Sequence, residues 1–129
     1  MNSIKAFILI ILLGWQFSAS AERIKDVSMV EGAKEVGTDR IELYTEAYAK
    51  KYPYSPEKAI EPYVKAAEKA VELGLGINAG HDLSLDNINY FSKHIPNLLE
   101  VSIGHALICE SLYLGFENVI PMYLQRLKF

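Results

Sequence analysis

The side chains of this 129-residue chain best suited to chemistry are three histidines, His81, His94 and His105, one cysteine, Cys109, and one carboxylate set among apolar neighbours, Glu42. An imidazole gives or takes a proton near neutral pH. His81 follows Gly80, which lets the backbone turn sharply, and it stands beside Asn78 and Asp82, so a proton-transfer role is the sharper reading of it. A structural histidine satisfied by a backbone carbonyl is the plainer one. Gly104-His105 falls between an apolar run and a helical pattern. Amide N–H groups at such a helix start can hold a phosphate, and glycine lets a ligand approach the backbone. Glu42 is costly to bury unless it pairs or works, and Arg40 is its nearest partner in sequence. Two histidines without a third ligand at suitable spacing do not make a metal site, so none is expected. His94 reads as a surface loop residue. Cys109 reads as a buried structural thiol at the end of the apolar run from Ala106. Tyr44, Tyr48, Tyr52 and Tyr54 read as packing.

The elements that must position these residues follow from periodicity. Val30, Ala33 and Val36 keep a helical spacing that stops at Gly37. Asp39 to Thr45 alternates as a strand, with Ile41, Leu43 and Thr45 on one face and Glu42 and Tyr44 on the other. A loop rich in Tyr, Lys and Pro is expected from Glu46 to Pro56. The next helix carries Ile60, Tyr63, Val64, Ala67, Ala70 and Val71 and closes at Gly74, with Pro62 fitting only near its first turn or at a kink. Leu75 to Ala79 is the second strand, after which Ser84 is the expected N-cap of a helix carrying Leu85, Ile88 and Phe91. A turn from His94 to Asn97 leads to the third strand, Leu99 to Ile103. An apolar helix then runs from Gly104-His105 to near Gly115. The last amphipathic segment, Phe116 to Phe129, carries Val119, Ile120, Tyr123, Leu124 and Leu127, with Pro121 as a point of kinking.

Strands and helices in strict alternation are the signature of parallel βαβ units. In such sheets working residues collect where strands end and βα loops begin. Glu42 with Thr45, Asn78 with Gly80-His81-Asp82, and Gly104-His105 all fall there. Three strands with helices on one side leave the other face bare, which reads as an incomplete fold with an exposed apolar patch.

Composition narrows the function classes. Half the residues are hydrophobic and 22% are charged, as in ordinary globular proteins. A net charge of −3 provides no basic footprint for nucleic acid, so none is expected as a partner. The single cysteine excludes an intrachain disulfide. At the N-terminus Lys5, the apolar run Ala6 to Trp15 and Ala19-Ser20-Ala21 imitate a secretory signal peptide, in a run too short to span a bilayer as a helix. No membrane association is expected.

Three blocks then carry a resemblance: Glu42-Leu43-Tyr44-Thr45-Glu46-Ala47-Tyr48-Ala49, Gly74-Leu75-Gly76-Ile77-Asn78-Ala79-Gly80-His81-Asp82-Leu83, and Val101-Ser102-Ile103-Gly104-His105-Ala106-Leu107-Ile108. Their order and separation are similar to the C-terminal part of the pyridoxine 5′-phosphate synthase family, from about Val27 onward. The resemblance implies an α/β fold, a partial (β/α)8 TIM barrel comprising about strands 6 to 8 with their helices, and leaves residues 1–26 as a signal-like segment outside the family. It implies condensation of 3-amino-2-oxopropyl phosphate with 1-deoxy-D-xylulose 5-phosphate, with release of phosphate and water. His81 matches the family's proton donor, Glu42 its transition-state stabiliser, and Asp82, Gly104 and His105 its substrate contacts. Asp82 departs from the pattern, in which many members have Gly. No cofactor is implied; phosphorylated small molecules are the partners, the full-length family is homo-oligomeric, and the cytoplasm is the expected compartment. The proton-accepting His and Glu, the substrate-binding Arg residues and an Asn near the first strand belong to the family's first half, which has no counterpart here. The expectation is a truncated or frame-shifted product whose signal-like start is accidental. The rival expectations are a non-catalytic remnant and a small secreted protein.

Overall fold

The structure, a computed structural model, describes residues 27–127. The elements run α1 (Val27–Glu35), β1 (Arg40–Tyr44), α2 (Glu46–Lys51), α3 (Pro56–Glu72), β2 (Gly76–His81), α4 (Ile88–His94), β3 (Leu98–Ile103), α5 (His105–Leu114) and α6 (Phe116–Arg126). The strands form one parallel sheet in the order β1-β2-β3. Neighbouring strands joined through helices give two consecutive βαβ units, as the alternation of patterns predicts.

One face of the sheet is apolar by alternation. Ile41 and Leu43, Ile77 and Ala79, and Val101 and Ile103 are buried in a single core with Tyr63, Ala67 and Ala70 of α3, Phe91 of α4, Leu107 of α5 and Tyr123 of α6. Tyr48, Tyr63 and Phe91 meet edge-on at the centre, with ring centroids 4.9–6.0 Å apart. Such pairs add about 0.5–1.5 kcal/mol each beyond the area they bury. The opposite face carries Arg40, Glu42 and Tyr44 on β1, Asn78 on β2, and Glu100 and Ser102 on β3, none of them fully buried. Among the described residues no helix packs over this face, and it is polar, so the expected apolar patch does not lie there. Four large exposed apolar side chains, Leu112, Tyr113, Leu114 and Phe116, gather instead around the α5–α6 corner.

Several boundaries depart from the pattern for identifiable reasons. Glu46–Lys51 is a helix rather than a loop. The buried Tyr48 pins it to the core, and Lys50 reaches back to Glu46 at 2.6 Å, the i,i+4 pairing that supports a short helix. Strand β2 runs two residues past Ala79, to His81. Ser84 is not an N-cap. Its carbonyl accepts the amides of Asn87 and Ile88, its own amide donates to Asn87 Oδ1 at 2.9 Å, and α4 therefore starts only at Ile88. Leu85 is still buried, but in that turn. Pro62 stands inside α3, beyond its first turn, on the exposed side, where water can satisfy the carbonyl one turn earlier that Pro leaves without an N–H donor. Val36, placed by spacing on an apolar stripe, is 78% exposed, and Val71 and Leu124 are also exposed. The signal-like segment lies outside the described residues.

Candidate functional site

Strand alternation places Glu42 on the bare face of β1, and parallel pairing sets it opposite Asn78 of β2. Three residues on, β2 ends at His81, whose ring turns back over the same face. His81 Nδ1 lies 3.4 Å from Glu42 Oε1, an ion-pair distance outside hydrogen-bond geometry, so Glu42 Oε1 is buried without a hydrogen-bond partner. The His81 side chain keeps 62% of its surface exposed, so the ring is open to a ligand above the strand ends. The ring of Tyr44 is tilted against it, 5.2 Å between centroids. Arg40, expected beside Glu42, points across the sheet to Glu100 at 3.7 Å.

Gly80 makes this approach possible. A Cβ at that position would stand 2.7 Å from the Ser102 carbonyl oxygen and 2.9 Å from Glu42 Oε1, both closer than real contacts allow. The backbone at His81 is unusual in another way: φ is +85°, in the left-handed region that few residues other than Gly adopt, with Asn, Asp and His the commonest exceptions. Buried Thr45 holds the peptide groups on either side. Its hydroxyl donates to the Gly80 carbonyl at 2.6 Å and accepts from the Asp82 amide at 3.1 Å. Behind it, the Tyr63 hydroxyl donates to the Tyr44 carbonyl at 3.0 Å and accepts from the Tyr48 amide at 3.2 Å. Burial pushes the Tyr63 hydroxyl above its ordinary pKa, so it remains a donor at physiological pH.

Because His81 pairs with Ile103, Gly104 and His105 follow at the same edge of the sheet. Gly104 precedes the first turn of α5, where amide N–H groups have no partner within the helix. Nothing lies within 4 Å of where a Cβ of Gly104 would be, so the space over the helix start is open. Both residues are exposed, the condition for a phosphate contact. His105 Nε2 lies 3.5 Å from Cys109 Sγ, and Cys109 is half-buried rather than buried as the apolar run suggested. Asp82 offers a buried, unpartnered Oδ2 beside this edge. His94 is not in a loop: it ends α4, with Nδ1 on the Tyr90 carbonyl at 2.7 Å and its ring stacked on Tyr90, away from these groups. Among the described residues no His, Cys, Asp and Glu cluster could hold a metal ion.

Glu100 is no candidate in the sequence reading, which names Asn78 and Ser102 without a role of their own. Asn78 Oδ1 is buried without a partner, while its Nδ2 lies 3.5 Å from Glu100 Oε2. The overlooked signal was the alternation itself, since Glu42-Tyr44, Asn78-Gly80 and Glu100-Ser102 are three i,i+2 pairs of polar residues or glycine on adjacent strands.

Parallel βαβ units in a three-stranded sheet, with a carboxylate, an imidazole and a helix start toward the strand ends, fit part of an α/β protein of the barrel type. The family described as "Pyridoxal phosphate biosynthesis protein PdxJ" matches residues 21–128, and the chain belongs to that family. It is 69% identical over 102 residues to the pyridoxine 5′-phosphate synthase of Flavobacterium johnsoniae, covering 79% of this chain and 43% of that protein. The synthase of Cytophaga hutchinsonii is 60% identical over 101 residues, covering 78% of this chain and 42% of its own. That of Porphyromonas gingivalis is 52% identical over 113 residues, covering 88% and 48%. The chain thus spans less than half the length of these curated relatives, corresponding to their C-terminal region.

Proposed function

We propose that the chain supplies about the sixth to eighth strands of a (β/α)8 barrel, as one domain from residue 27 onward, in a protein that makes pyridoxine 5′-phosphate. The substrates are 3-amino-2-oxopropyl phosphate and 1-deoxy-D-xylulose 5-phosphate, and the product forms by ring closure with loss of phosphate and water. The observation that carries the reading is the approach of His81 to Glu42 at 3.4 Å over the strand ends, beside the open start of α5. His81 delivers a proton to a departing oxygen. Glu42 sets a negative charge beside the reacting centre, where it offsets positive charge as it develops. The amides after Gly104, with His105, hold a substrate phosphate, and Asp82 contacts the same ligand. The assembled protein is a cytoplasmic homo-oligomer. Family membership and the names of the relatives support this assignment.

A second reading is favoured by the open polar face of the sheet: the 129-residue chain by itself is non-catalytic and needs a complementary half-barrel over Glu42, Asn78 and Glu100. The test is to combine the chain with the N-terminal part of the Flavobacterium johnsoniae synthase and assay both substrates by product chromatography. Product that falls on Glu42→Gln supports the assignment, and product unaffected by Glu42→Gln overturns the role given to that carboxylate.

A further inference from the structure

We propose that Thr45 is a positioning residue for His81, acting through the two peptide groups that flank it; the inference rests on the functional reading above. His81 occupies a left-handed backbone conformation, φ +85°, uncommon outside glycine although His tolerates it better than most side chains, so the contacts that hold it there matter. One hydroxyl holds it from both sides. Thr45 Oγ1 donates to the carbonyl of Gly80, the residue before His81, and accepts from the amide of Asp82, the residue after it, at 2.6 and 3.1 Å. The Thr45 amide reinforces the grip by donating to the same Gly80 carbonyl at 3.1 Å. Thr45 itself is fully buried and sits directly after β1, which carries Glu42 and Tyr44. A single side chain therefore ties the strand bearing the carboxylate to the turn bearing the imidazole, and it sets the 3.4 Å between them.

A purely structural hydroxyl would satisfy buried backbone groups without mattering to the direction of the ring. The two roles separate by substitution. Thr45→Val keeps the branched shape and removes both hydroxyl hydrogen bonds, whereas Thr45→Ser keeps the hydroxyl and removes only a methyl. In the combined protein, Thr45→Val should lower kcat by roughly 10²-fold, the scale of a 1 Å misplacement of a reacting group, with KM changed by no more than about twofold. Thr45→Ser should restore most of that loss. In the 129-residue chain, NMR should show that Thr45→Val removes exchange protection of the Asp82 amide and the cross-peaks between His81 and Glu42, and that Thr45→Ser keeps both. His81→Asn is the control: if it leaves turnover intact, the functional reading fails while the NMR arm still judges the positioning. Unchanged kcat or persisting cross-peaks in Thr45→Val would overturn the proposal, as would Thr45→Ser being as damaging as Thr45→Val. Should Thr45→Val fail to fold, Thr45→Ser decides, with loss of the His81–Glu42 cross-peaks in it counting against the proposal.

Discussion

His81 and His105 sit at the same sheet edge but are built for different tasks, and kinetics can separate them. The His81 ring faces a carboxylate at 3.4 Å, whereas His105 stands at the first turn of α5 over open space. An acid acts only as the proton moves, so in the combined protein His81→Asn is expected to reduce kcat by roughly 10² to 10⁴ with little change in KM. A phosphate contact is made equally in ground and transition states, so His105→Ala should mainly raise KM for a phosphorylated substrate. Steady-state kinetics of the two variants check this, and an unchanged kcat in His81→Asn would return that residue to a structural role. Gly80 supports a second expectation. An added Cβ would meet the Ser102 backbone at 2.7 Å, which cannot yield as a flexible side chain could. Gly80→Ala should therefore cost about 1–3 kcal/mol in urea unfolding of the chain, the usual price of overpacking. The residue types and spacing made His81, Glu42, Gly104 and His105 legible as candidates. They could not reveal Thr45's double hydrogen bond, because residues 35 and 37 positions apart meet only once β1 and β2 are paired.

At the scale of elements, the three strands and the helices after them were readable because alternation and helical spacing report directly which side of each element is buried. The short pieces were not. Helix α2 is hidden by the tyrosines in and after it and by Pro53, and it exists because tertiary contacts hold Tyr48: its ring packs on Tyr63 and Phe91, and its hydroxyl donates to the Asn87 carbonyl at 2.8 Å. That bond also holds the turn leading into α4. Tyr123 of α6 plays the corresponding part at the other end, donating to Glu110 Oε2 at 2.5 Å while Glu110 Oε1 accepts the Leu85 amide at 3.2 Å. Burial is the main cause that raises both hydroxyls above their ordinary value. The sign follows: the folded state binds these protons more tightly than the unfolded one, so their contribution is complete below roughly pH 10, the unfolded value, and is lost as pH rises above it. Urea unfolding between pH 8 and pH 11 should show stability falling at the alkaline end. Tyr48→Phe should flatten that fall while costing about 1–3 kcal/mol at neutral pH, because the Asn87 carbonyl loses its buried donor. An alkaline fall of the same size in Tyr48→Phe would show that the hydroxyl is not its source.

For the whole molecule the decisive feature is the unequal character of the two sheet faces. One is packed by helices into the core, and the other presents Arg40, Glu42, Asn78, Glu100 and Ser102 with buried, unpartnered oxygens on Glu42 and Asn78. Unpartnered buried acceptors are costly, so these two oxygens call for donors from water, a ligand or another piece of chain. An apolar bare face would have driven the chain to associate through the sheet. A polar one does not, and the α5–α6 corner, with Leu112 and Tyr113 at 80% and 90% exposure, is an exposed apolar surface instead. The proton-accepting groups implied by the family resemblance lie in the first half of the barrel, and each general acid–base step contributes roughly 10² to 10⁴ in rate. The purified 129-residue chain is therefore expected to form no detectable pyridoxine 5′-phosphate from the two substrates, and to gain activity when the N-terminal part of a relative is added. Titrating that part against a fixed amount of chain should make product formation saturate as the two halves pair. Robust turnover by the chain alone, at the level of the combined halves, would refute the need for a complement and require a proton acceptor within this chain.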